Sequence, residues 1–142
     1  MTDEQRGHGR RARFPHSDVT GAVIKAFYRL QSTPGQGFLE TVYKNGLTLL
    51  LRETGVEVAR EVPYDVMLHG QSIGHHRADL VVSWCVLVEV KTARRLDPAH
   101  VAQLRNYLRA SGIEVGLLLN FGERAQFRRL IVTPSPRDPR AT

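Results

Sequence analysis

The sequence predicts an α/β domain with a central mixed β-sheet and helices packed on it. Three observations carry that reading. The periodicities run helix, helix, strand, strand, strand, helix, strand, strand. A helix bracketed by strands in the second half implies a βαβ crossover, hence a parallel pair within the sheet. The strand candidate Val86–Lys91 is apolar and β-branched until Glu89 and Lys91 interrupt it, and the strand candidate before it carries Asp79 near its end.

The length of 142 residues fits one domain. Residues 1–14 carry Arg6, Arg10, Arg11 and Arg13 and read as a disordered basic arm. The folded domain is expected over 15–132. Residues 133–142, with three prolines, read as a flexible tail.

The first helix is expected after Ser17, as its cap, with an apolar stripe at Val19, Ala22, Val23, Ala26, Phe27 and Leu30. The segment from Ser32 to Gly37 breaks it. A second helix is expected from about Gly37 to Thr54, stopped by Gly55. Phe38, Leu39, Val42, Leu49 and Leu50 make its apolar face, with Glu40, Tyr43 and Leu47 along the edge. Glu40 there can point into a cleft, or simply favour the positive end of the helix dipole.

Val56 to Leu68 is strand-rich, and Pro63 marks an edge or a bulge. His69-Gly70-Gln71 reads as a hairpin turn into a strand over Ile73–Val82. Simple alternation puts His75, Arg77 and Asp79 on one face of that strand. A turn at Ser83-Trp84 leads into Val86–Lys91, where Leu87, Glu89 and Lys91 share one face and Val86, Val88 and Val90 the other. Asp97-Pro98 is a helix start, Asp at the N-cap and Pro at the first helical position. That helix runs to about Ser111, buries Val101, Leu104 and Leu108, and has Gln103 and Tyr107 at the stripe's edge. Arg105 and Arg109 lie on a more exposed face. Glu114–Asn120 reads as a buried strand and Phe127–Val132 as the last strand.

Pairing of the two central strands would bring Asp79, Glu89 and Lys91 to one patch. Two carboxylates and an ammonium suit a hard divalent cation such as Mg²⁺. The same spacing also fits a solvated pair of charges at a strand end. His75-His76 lacks a third soft ligand at a spacing suited to zinc.

The formal net charge is +6, with 17 arginines and three lysines, Lys25, Lys44 and Lys91. That balance favours polyanionic partners. With Cys85 the only cysteine, an intramolecular disulfide and a cysteine-ligated zinc or iron–sulfur cluster are excluded. No apolar run reaches membrane-spanning length and the N-terminus lacks a signal-peptide core, so a cytoplasmic protein without membrane association is expected.

Several of these residues fall into one pattern. Gly37-Phe-Leu-Glu40-Thr-Val-Tyr43 matches GxxExxY. The chain resembles the small bacterial GxxExxY proteins, a branch of the PD-(D/E)XK nuclease superfamily, over about residues 17–132. Within the resemblance, Arg77-Ala78-Asp79 looks like the motif of the first metal-binding aspartate, with Ala78 where the superfamily name has proline. Glu89-Val90-Lys91 looks like the ExK motif, and Gln103-Leu-Arg-Asn-Tyr107 like the QxxxY motif of RecB-like nucleases. Asn120-Phe121-Gly122 also suits the branch.

The resemblance implies a restriction-endonuclease-like core and Mg²⁺- or Mn²⁺-dependent hydrolysis of phosphodiester bonds, most often in DNA. Asp79, Glu89 and the Val90 carbonyl would hold the metal, with Glu40 joining directly or through water. Lys91 would position the attacking water and stabilise the developing charge. Gln103 and Tyr107 would hold the lysine, the nucleophile or the phosphate. Arg77, Arg105 and Arg109 would contact nucleic acid. A homodimer would suit a small site that cuts one strand at a time. The alternative is a nuclease-like module that grips nucleic acid or a protein partner without cutting it. A small-molecule enzyme lacks support: the chain has no Gly-rich phosphate loop and no nucleophile elbow.

Overall fold

A computed structural model describes residues 14–33 and 37–133. The expected basic arm and tail therefore lie outside the described residues, except for Phe14 and Thr133. The elements follow the expected order: α1 (Ser17–Gln31), α2 (Glu40–Glu53), β1 (Val58–Leu68), β2 (Gln71–Val82), β3 (Val86–Lys91), α3 (Pro98–Ser111), β4 (Val115–Phe121) and β5 (Ala125–Ile131). The sheet order is β1-β2-β3-β4-β5. β3 and β4 are parallel, joined by α3 as the crossover, and every other pairing is antiparallel.

α1 and α2 cover one sheet face over Leu80, Val82, Val86, Val88, Val90, Val115, Leu117 and Leu119. α3 covers the other through Leu104 and Leu108, against Ala78, Val81, Leu87 and Leu118. The alternation expected along β3 is therefore present. All seven residues of β4 are buried, as a central strand with helices on both sides requires.

Two helix expectations need correction. His16, in the left-handed region at φ 59°, occupies the N-cap of α1, and Ser17 is the first helical residue. No side chain caps this end. α2 starts at Glu40 and not at Gly37, and it buries Tyr43, Leu47, Thr48 and Leu51. Phe38, Leu39, Val42 and Leu49 stay exposed. The helix carries two apolar stripes, and tertiary contacts choose between them. The Tyr43 ring stacks on Phe121 at 4.1 Å between centroids. Its hydroxyl accepts the Gly37 and Phe38 N–H groups at 3.2 and 3.4 Å, holding that segment outside the helix. Gly37 adopts φ 89°, a conformation glycine takes without a Cβ penalty. The glycine and tyrosine of the GxxExxY spacing are thus structural partners.

The start of α3 is as expected. Asp97 Oδ1 accepts the N–H groups of Ala99 and His100 at 2.8 and 3.2 Å, and Pro98 opens the helix. The loop before it is tied to β4 by Asn120, which is fully buried. Its side chain accepts from the Ala93 N–H and donates to the Ala93 carbonyl, both at 2.9 Å. Gly122 is needed beside it, since a Cβ there would sit 2.4 Å from the Ala93 oxygen. Asn120→Ala leaves both Ala93 groups unpaired and is expected to cost about 2–3 kcal/mol. Chemical denaturation with unchanged m-value checks this; a loss below about 0.5 kcal/mol would mean the loop does not depend on Asn120.

Candidate active site

The β2–β3 ladder runs from Val82↔Val86 to Leu80↔Val88 and stops there. One step beyond, Asp79 and Glu89 stand opposite each other where the strands part. On the other side of β2, Arg60 pairs Leu80 and Val62 pairs Ala78, which leaves Glu61 opposite Asp79 and outside the paired register. Glu61 has φ 51°, a left-handed backbone inside a strand.

This irregularity shifts the phase of the β1–β2 hairpin by one residue. Val81 packs toward α3, and so does Ala78, three positions earlier. Strict alternation would have placed them on opposite faces. The shift brings His76 and Ala78 to the α3 side, opposite to what unbroken alternation from Val81 would give. His76, not His75, turns toward Glu89, with Nε2 2.6 Å from Glu89 Oε1. His75 is exposed and lies 2.6 Å from Asp65, and Arg77 is exposed.

The Asp79 carboxylate is fixed at both oxygens. Oδ2 accepts the Val90 N–H at 2.8 Å, and Oδ1 accepts from Lys44 Nζ at 3.3 Å. The Lys44 side chain is 13% exposed and its ammonium also lies 2.5 Å from Glu61 Oε1. Burial alone would lower the Lys44 pKa, but its hydrogen bond to Glu61 and the Asp79 charge raise it overall. Lys44 is a fixed cation at neutral pH.

Glu89 is 5% exposed. Burial, and then the neighbouring Asp79 carboxylate, push its pKa up to about 9, against the pull of Lys91. In the metal-free protein Glu89 is therefore a neutral acid at pH 7. Burial also lowers the His76 pKa, with Asp79 opposing and Lys91 assisting, so the ring is neutral. The His76 ring stacks on Tyr107 of α3, 3.2 Å between centroids and 6° from parallel. Burial and then Glu89 raise the Tyr107 pKa, and a hydrogen bond with Gln103 opposes them.

The structure thus gathers Asp79, Glu89, Lys91, Gln103 and Tyr107 around the end of the β2–β3 ladder. Glu40 sits half-buried in the first turn of α2, and none of its hydrogen bonds or ion pairs among the described residues reaches Asp79 or Glu89. Arg105 is exposed and, with Arg128, lines a cleft of about 350 Å³ beyond the start of α3. Arg109 is half-buried in the last turn of that helix. Among the described residues, no three His, Cys, Asp or Glu side chains gather closely enough to hold a metal by themselves.

Sequence reasoning missed Lys44, Glu61 and His76. Lys44 could have been found, as one of three lysines in the chain and the residue following the GxxExxY stretch. His76 could not, because no local pattern signals the phase shift at Glu61.

A family model described as the PD-(D/E)XK nuclease superfamily matches residues 17–130. The chain belongs to that superfamily. Its match spans every element except the last residue of β5. Among solved structures, the crystal structure of SSO0001 is similar at 24% identity and a TM-score of 0.53, covering 89% of this chain and 63% of that one. The chain therefore spans less than two thirds of that protein, and the likeness concerns the fold. No curated protein matches. Three helices around a five-stranded mixed sheet are consistent with the restriction-endonuclease-like core of PD-(D/E)XK proteins.

Proposed function

We propose that residues 15–132 form a Mg²⁺- or Mn²⁺-dependent nuclease domain of the GxxExxY branch that hydrolyses phosphodiester bonds in DNA, in the cytoplasm. The observation that carries this is the apposition of Asp79 and Glu89 at the parting of β2 and β3, with Lys91 beside them. Superfamily membership suggests a nuclease, and PD-(D/E)XK nucleases generally use divalent metals.

The residues present fit such an ion. Burial and the neighbouring Asp79 carboxylate oppose ionisation of Glu89, and a cation shared by the two carboxylates would relieve that opposition. Mg²⁺ asks for one or two carboxylates and keeps several waters, so a three-ligand protein cage is not required. Asp79 and Glu89 would hold the ion. The N–H and C=O of one strand residue point the same way, so the Val90 carbonyl faces the gap its N–H faces. Glu40 is one helical turn before Lys44 on the same side of α2 and would join the ion through water. The ion supplies Lewis-acid stabilisation and a more acidic water.

The chain's own groups do the rest. Lys91 donates to the attacking water and to the phosphate oxygen on which charge accumulates. His76, itself stacked on Tyr107, holds the direction of Glu89, and Gln103 restrains the Tyr107 hydroxyl. Arg77, Arg105 and Arg109 supply phosphate contacts.

The test is incubation of the full chain with single- and double-stranded DNA and RNA in Mg²⁺, Mn²⁺ or EDTA, beside thermal unfolding with each metal. Cleavage that needs metal is expected, with stabilisation by roughly 2.7 kcal/mol at 100 times Kd. Metal binding without cleavage of any strand form would leave the non-cutting binding module as the reading.

A further inference from the structure

Three carboxylates stand in a row across three strands, where the β2–β3 ladder ends. Glu61 on β1 is opposite Asp79 on β2, which is opposite Glu89 on β3. Lys44 reaches this row from α2 and lies between the first two members, 2.5 Å from Glu61 Oε1 and 3.3 Å from Asp79 Oδ1. A non-glycine residue in a left-handed conformation inside a strand persists only where its surroundings hold it. At Glu61 the contact with the largely buried ammonium is one such restraint.

We infer that Lys44 is a built-in counter-ion of the site: it pins Asp79 and opposes the cation that Asp79 would share with Glu89, so that Lys44 and Glu61 together set how tightly the site takes a divalent metal. This rests on the metal reading above. The sign follows from charge alone. An ammonium at hydrogen-bond distance from a ligand carboxylate repels a divalent ion on that carboxylate, even through an effective dielectric well above that of a dry interior. Glu61 offsets part of that repulsion. Removing the ammonium strengthens cation binding, and neutralising Glu61 weakens it.

The experiment is calorimetric titration of the full chain with Mn²⁺ alone, without nucleic acid, for wild type, Lys44→Met, Lys44→Arg and Glu61→Gln. Methionine keeps the unbranched stem and removes the charge. Lys44→Met should bind Mn²⁺ about tenfold more tightly. Glu61→Gln should bind several-fold more weakly, and Lys44→Arg should stay close to wild type. A role in packing alone would leave the Met and Gln variants at the wild-type affinity, and that result would overturn the inference while leaving the metal reading intact. Wild type that binds no Mn²⁺ while Lys44→Met does would support the inference and sink the metal reading of the native site. Binding by none of the four would sink both. Should Lys44→Met fail to fold, Glu61→Gln decides, since the Glu61 side chain is 41% exposed.

Discussion

Lys91→Ala should lower cleavage by about 10²–10³-fold while metal and nucleic-acid binding persist. Lys91 ends β3 two residues after Glu89, on the same side of the strand, and its charge reaches both Glu89 and His76. Its position differs from that of Lys44, which is committed to Glu61 and Asp79. A loss of one preorganised cation at the point where charge develops is worth about 3–4 kcal/mol in the barrier. Lys91→Arg should restore only part of the rate, because a planar guanidinium is larger and stays protonated. Single-turnover rates at saturating metal measure the effect. Equal rates for wild type and Lys91→Ala would remove Lys91 from the chemistry.

Glu89→Gln should stabilise the metal-free protein and remove its response to metal. Glu89 has a folded-state pKa of about 9, against an ordinary value of 4.5. The fold thus binds this proton more tightly than the unfolded chain does. Its stability contribution is complete below about pH 4.5 and is lost progressively as pH rises toward 9. At 1.36 kcal/mol per unit, the burden by pH 8 is on the order of a few kcal/mol. Glutamine carries no such proton, so the variant's Tm should exceed that of wild type by roughly 5 °C or more at pH 8 and by little at pH 5. Added Mg²⁺ or Mn²⁺ should raise the wild-type Tm and leave the variant unmoved. A gap that is the same at both pH values would mean that Glu89 is ionised in the metal-free fold.

Much of this molecule was legible in its sequence because the deciding signals are local. β4 is a seven-residue run that is buried throughout, Asp97-Pro98 caps a helix, and Glu89 and Lys91 stand out from an apolar strand. What was not legible depends on partners far along the chain. The buried face of α2 turns on Tyr43 meeting Phe121. Lys44 acquires its place from Asp79, 35 residues away. His76 faces Glu89 where the hairpin changes phase beside Glu61, a left-handed residue on the neighbouring strand. A pattern of alternating residues carries no mark of a change of phase that arises beside it on the partner strand.

The outer strands bear on how copies of this chain meet one another. An open sheet invites a foreign strand to continue its ladder, which is a route to both edge-paired dimers and aggregates. Here β1 breaks that template from within: Pro63 has no N–H to offer, Glu61 leaves the extended conformation, and a bulge follows between Val66 and Met67. The opposite margin, β5, places Arg128 and Arg129 side by side and exposed, so a second copy brought alongside would meet like charge. Among the described residues, both margins of the sheet thus work against edge-to-edge pairing of two copies, which favours helix or loop surfaces for any contact between them.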